Sequence, residues 1–289
     1  MKKVLLLIIS IYFSAILNAQ SIGKPYAVYS NKGKEVEFEK MTRQLSKNDV
    51  ILFGELHNNS MVHWLQLQLL KSLKSMETNL TLGAEMFEAD DQLKIDEYLT
   101  GHIKQSNFEK EAKLWNNYAT DYKPLMEFAK ENNCNFIATN VPRRYASIVA
   151  SKGLEYLDSL PASSKQYMAP LPISFGLEVP GYEEMITMMG GHGAHGSSMN
   201  IVKAQALKDA TMAHFIANNL ERKKVFVHFN GDFHSKQYGG IYWYLQNQND
   251  IKSIGSISVV EAENLDYQED YAELGDFILV IPSDMTKTY

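Results

Sequence analysis

Residues 50–57 read VILFGELH and residues 225–234 read VFVHFNGDFH. In both stretches a β-rich run breaks on a glycine and a histidine follows three positions later, giving the paired turns Gly54–His57 and Gly231–His234. Outward from these, further β-rich runs stand at Leu80–Met86, Asn135–Thr139, Ile254–Val260 and Phe277–Ile281, with helical stretches between most of them. Such alternation predicts an α/β fold with a mainly parallel β-sheet flanked by helices. Ser60 is placed to cap a helix carrying Val62, Leu65, Leu69, Leu70 and Leu73, and Pro124 suits the first turn of another running through Leu125, Phe128 and Ala129.

Two connections are too long for simple crossovers, about 88–132 and about 154–205, and are expected to be helical insertions above the sheet. Inside the second, Met185–Met199 interleaves Met188, Met189, His192, His195 and Met199 with four glycines, which argue against a regular helix there. The aromatic groups Trp115, Tyr118 and Tyr122, and Tyr242, Trp243 and Tyr244, read as packing. So do His63 and His228, whose neighbours are apolar.

The first residues differ from the rest. Lys2 and Lys3 precede an apolar run from Val4 to Leu17, followed by Asn18, Ala19 and Gln20, which reads as a signal peptide over residues 1–19 ahead of one domain over residues 20–289. The run is shorter than the ~20 residues that span a bilayer. The expected product is exported, periplasmic or secreted. No lipid anchor is evident, because the only cysteine is Cys134 and none follows the apolar run. One cysteine also excludes an intramolecular disulfide. The formal charge of −6, less the two leader lysines, leaves about −8 and makes nucleic acid an unsuitable partner.

In a parallel sheet, ligands collect beyond the carboxyl ends of the strands. That edge should gather Glu55 and His57, Glu85, Asn140 with Arg143 and Arg144, and Asp232 with His234. Each glycine is expected to let the chain turn off its strand with a backbone that a side chain would forbid. His57, His234 and Glu85 are adequate ligands for a divalent metal ion, with Glu55 or Glu85 as general base and Arg143 in the catalytic set beside them. A carboxylate at Glu85, within an apolar run, calls for a buried partner. The Met and His cluster offers a second chemistry: Met188, His192 and His195, with Tyr182 just upstream, are natural ligands of haem iron. Arg143, Arg144 or Lys203 could meet its propionates. The residues alone leave a haem binder, a metal-dependent hydrolase and an exported structural module open.

The combination of Gly54-Glu55-Leu56-His57, Gly231-Asp232-Phe233-His234, Gly83-Ala84-Glu85-Met86-Phe87-Glu88, Asn140-Val141-Pro142-Arg143 and the segment Ala204–Asp209 resembles the ChaN haem-binding uptake group. That group is similar to the Tiki proteases and more distantly to erythromycin esterases. The resemblance spans roughly Lys47 to Pro282. It implies a haem-binding protein of haem or iron uptake with an outer-membrane partner and haem as cofactor. Its Tiki side implies instead a metal-dependent peptidase or esterase centred on His57, Glu85 and His234. A homodimer is the expected assembly.

Overall fold

In the computed structural model, residues 24–189, 195–248 and 251–289 are described, the side chains of 195–197 excepted. The expected signal peptide and His192 lie outside these residues. One sheet of seven strands organises the chain: β1 (Ala27–Ser30), β2 (Val50–Glu55), β3 (Leu80–Glu88), β4 (Asn135–Asn140), β5 (Val225–Gly231), β6 (Ile254–Ala262) and β7 (Phe277–Pro282). Their order is β1-β7-β6-β2-β5-β3-β4, parallel throughout except where β1 pairs antiparallel with β7. The mainly parallel α/β sheet expected from the sequence is therefore present. The edge strand β1 is the element its pattern does not signal.

Ten helices accompany the strands among the described residues: α1 (Phe38–Leu45), α2 (Ser60–Ser75), α3 (Gln92–Leu99), α4 (Gln105–Glu111), α5 (Lys123–Glu131), α6 (Arg143–Lys152), α7 (Ala162–Lys165), α8 (Tyr182–Met188), α9 (His195–Asn218) and α10 (Gly240–Gln246). Alternate residues of each central strand serve opposite faces. On β2, Ile51 and Phe53 pack with Leu65, Leu69 and Leu125 of α2 and α5. Val50 and Leu52 pack on the other side with Val149, Leu207 and Ile241 of α6, α9 and α10. Every one of these side chains is essentially inaccessible to water. Burial of each stabilises the fold by roughly 1.5–3 kcal/mol before conformational entropy is counted.

Two local expectations are corrected. The cap of α2 is Asn59, whose Oδ1 accepts from the backbone N–H of Met61 at 3.0 Å and of Val62 at 3.2 Å, so Ser60 is already the first helical residue. Met185–Met188 close α8 and His195–Met199 open α9, so glycines do not keep these two portions out of helices. Tertiary packing overrides the weak propensity argument: Val179, Tyr182, Val202 and Ala206 form a small core of their own beneath this region. Among the described residues, no helix is long and apolar enough to cross a membrane.

His228, on β5, is fully buried with both ring nitrogens engaged, Nδ1 at 3.1 Å from Asn230 Oδ1 and Nε2 at 2.7 Å from the Thr139 hydroxyl. Burial pushes its pKa down to about 4, partly offset by the Asn230 hydrogen bond. Between that value and the unfolded value near 6.5, the unfolded chain binds the extra proton, so stability falls as pH drops through this window, by about 3 kcal/mol at most from this residue. His228→Gln, which cannot titrate, is expected to show a smaller fall in urea midpoint between pH 7 and pH 4.5 than the parent. An identical fall would contradict this account.

Candidate functional site

Strands β2, β5, β3 and β4 are consecutive neighbours in the sheet, so their carboxyl ends form one edge. Gly54 stands opposite Asn230, and Glu55 opposite Gly231. Pairing of β3 with β5 ends at Ala84, and the β3–β4 register is irregular between Ala84 and Glu88, which frees Glu85 to turn toward β5. There its Oε2 accepts the Gly231 backbone N–H at 2.8 Å.

The two Gly-x-x-His turns fit into each other. A Cβ on Gly231 would lie 2.7 Å from His57 Nε2 and 2.9 Å from His57 Cε1. A Cβ on Gly54 would overlap Asp232 Oδ1 and stand 3.0 Å from the Ile257 carbonyl oxygen. Each glycine thus makes room for a side chain of the other turn. Neither has the left-handed backbone that the sequence reading expected: Gly231 sits at φ −54° and Gly54 is not among the positive-φ residues. The requirement is for space, not for backbone freedom.

Both imidazoles are backed by carboxylates. His57 Nδ1 lies 2.8 Å from Glu55 Oε1, and among the described residues its Nε2 has no hydrogen-bond partner. Glu55 is buried and also accepts from the Tyr122 hydroxyl at 2.7 Å and from Gln66 Nε2 at 2.5 Å. His234 is held from both sides, by Asp209 at Nδ1 and by Glu85 Oε1, 3.0 Å from Nε2. Asp209 in turn accepts from the Tyr182 hydroxyl at 2.8 Å. Burial would lower the pKa of His234, but the charges of Glu85 and Asp209 outweigh it and raise it to about 9. For Glu85, burial is likewise outweighed, here by His234, His57 and Lys208, and its carboxyl is held well below the usual range. The pKa of His57 is also raised, since Glu55 prevails over burial.

This arrangement places the three expected metal ligands, His57, Glu85 and His234, in the lining of one cavity. His234 turns both ring nitrogens to carboxylates, and its pairing with Glu85 supplies the buried partner that this carboxylate calls for. Among the described residues, no group of three or more His, Cys, Asp or Glu side chains is arranged to hold a metal ion.

Above the strand ends lies a cavity of about 840 Å³, with His57, Glu85, Arg143 and His234 at its polar side and Trp115, Met185 and Phe233 among its apolar walls. The Trp115 ring meets His57 edge-on, with centroids 4.9 Å apart. Glu55, Glu85, Arg143, His57 and His234 are therefore brought together. Tyr182 is 1% exposed and faces Asp209 inside the protein. Met188 is 67% exposed on the outer side of α8, while Met185, one turn earlier, reaches the cavity. His195 begins α9. Sequence reasoning missed Asp209, Gln66 and Tyr122 as partners of the histidines and their carboxylates. Only Asp209 left a trace, as the last residue of the quoted Ala204–Asp209 segment.

Comparison with known proteins agrees with this fold. Residues 41–245 match the family model described as haem-binding uptake, Tiki superfamily, ChaN. No curated protein matches the sequence. Among solved structures, the fold is similar to ChaN of Campylobacter jejuni, described with cofacial haem binding, at 18% identity and a TM-score of 0.67, covering 90% of this chain and 98% of that one. An erythromycin esterase mutant in its open conformation is similar at 9% identity and a TM-score of 0.52, covering 89% and 97% of the two chains. A Bacillus cereus protein follows at 10% identity and a TM-score of 0.50, covering 86% and 92%. At these identities the structures speak for the fold alone, whereas the family model spans most of the sequence, and by it this chain belongs to the haem-binding uptake family ChaN of the Tiki superfamily.

Proposed function

We propose that this protein is exported and binds haem as cargo in haem or iron uptake, its residues 1–19 serving as the signal peptide and residues 20–289 as one binding domain. The observation that carries the reading is the strand-end cavity of about 840 Å³, which combines apolar and aromatic walls with an imidazole whose Nε2 is unengaged. Haem is a broad, largely apolar disc whose iron takes an axial ligand. A cavity of several hundred Å³ that sets apolar walls beside polar groups suits such a body. Family membership and the likeness to ChaN support haem over the metal-dependent hydrolase.

In this reading His57 presents Nε2 to the cargo while Glu55, Tyr122 and Gln66 fix the ring from behind. Met185 of α8 lines the cavity, and Met188, His192 and His195, which follow it in the chain, remain candidate contacts to the haem. Tyr182, tied to Asp209, acts through His234 as a positioning residue. An outer-membrane protein that takes up or delivers haem is the fitting partner, and a homodimer the fitting assembly.

Hemin titrated into the mature protein should give a saturable Soret band, and His57→Ala should weaken binding by about tenfold or more, equivalent to about 1.4 kcal/mol. A titration indistinguishable from that of a non-binding control protein would overturn the proposal. Tyr182→Phe separates a positioning role from an axial one: we expect an unchanged Soret position with a stability loss of about 1–2 kcal/mol, from a buried acceptor left short of its donor. A displaced Soret band in that variant, with unchanged stability, would make Tyr182 an iron ligand after all.

A further inference from the structure

The haem reading leaves unstated how the cargo is oriented, and the distribution of ion pairs around the cavity supplies an answer. Arg143, Lys208 and Lys236 are the cations that line it. Lys236 is engaged by Glu184 at 3.4 Å and lies over the Phe233 ring at 3.7 Å. On the adjoining cavity, Arg144 is held by Asp90 at 2.6 Å, and Lys113 by Asp90 at 2.7 Å and Glu88 at 2.9 Å. Lys203 pairs with Glu155 at 3.3 Å and does not reach the cavity. Of the three cations expected to meet an anionic edge, Arg144 and Lys203 are thus already matched. Arg143 and Lys208 form no ion pair within 4 Å among the described residues, and Glu85, a buried carboxylate of the same lining, already has His234 as its counter-ion.

A second observation points to the same wall. Asn140, at the end of β4 three residues before Arg143, is 8% exposed, and its Nδ2 donates to the Glu85 carbonyl oxygen at 2.9 Å. Its Oδ1 is buried and has no hydrogen-bond partner among the described residues. Buried acceptors are rarely left so, and one in a cavity wall marks a place where an incoming group, or a water held by it, is to donate. Arg143 is also the first residue of α6, whose amino end adds positive potential.

We propose that Arg143 and Lys208, with Asn140 between the strand end and the helix, form a clamp for the two carboxylates of the porphyrin edge. This rests on the haem reading and adds the direction of the bound molecule: propionates toward α6 and α9, iron face toward His57. The guanidinium takes one carboxylate through two parallel N–H donors, and the ammonium takes the other as a point charge. Asn140 Oδ1 accepts from a water that bridges it to a bound carboxylate.

The test compares hemin with its dimethyl ester, in which both carboxylates are masked, on the parent protein and on Arg143→Gln, Lys208→Gln and the double variant. Both side chains lie at the surface of the cavity, and circular dichroism with thermal melting verifies that each variant folds. The parent should prefer hemin to the ester. Each single variant should lose about tenfold for hemin and little for the ester, as expected for a charge-assisted contact, and the double variant should lose the preference. Arg143→Lys should recover part of the hemin affinity. Equal binding of hemin and ester by the parent would overturn the clamp while leaving haem binding intact, as would a preference that survives in the double variant. Absence of a Soret band with either ligand would instead overturn the underlying haem reading.

Discussion

Two missing side chains hold this site together. Gly54 leaves the space that Asp232 fills, and Gly231 leaves the space over which the His57 ring lies. Because β2 and β5 are hydrogen-bonded neighbours with Glu55 opposite Gly231, the two turns are forced into contact at the same sheet edge. Larger residues would push a ring or a carboxylate from a close-packed position, at a cost of about 1–3 kcal/mol. The placement of His57, and through it the shape of the cavity, follows from this reciprocal fit.

Electrostatics then fixes what the fit has placed. Carboxylates buried in an α/β core are costly unless matched, and here they alternate with imidazoles: Glu55 with His57, then Glu85 and Asp209 on either side of His234. Tyr122 and Gln66 complete the coordination of Glu55, and Tyr182 that of Asp209. His63 extends the pattern, lying 3.0 Å from the His57 carbonyl oxygen and 3.5 Å from Asp121. The consequence is a densely hydrogen-bonded polar floor, beside which the His57 Nε2, the Asn140 Oδ1, Arg143 and Lys208 have no hydrogen-bond or ion-pair partner among the described residues, and on these groups the haem proposal rests. Rigidity beneath and open polar groups above is the arrangement expected of a preorganised binding site.

Much of this was legible in the sequence for a simple reason. The β-rich runs alternate with helical stretches along most of the chain, so the parallel sheet and its carboxyl edge could be inferred, and with them the company of Glu55, Glu85, Asn140 and His234. Less legible were residues whose partners lie far along the chain. Tyr122 reaches Glu55 across 67 positions, and Tyr182 reaches Asp209 across 27, from helices whose docking no local pattern reveals. For the same reason the glycines read as turns needing a special backbone: sequence shows that a side chain is absent, not what occupies its place. Nor does the sequence show that Asp209 stands behind His234.

The central claim is that the two Gly-x-x-His turns are one interlocked unit, and it can be tested without any ligand. A double-mutant cycle on folding stability, by urea unfolding of the parent, Gly231→Ala, His57→Ala and the double variant, measures the coupling directly. If Gly231 is glycine in order to admit the His57 ring, Gly231→Ala should destabilise the parent by about 1–3 kcal/mol and the His57→Ala protein by far less, giving a coupling of about 1 kcal/mol or more. Effects that add to within about 0.5 kcal/mol would contradict it.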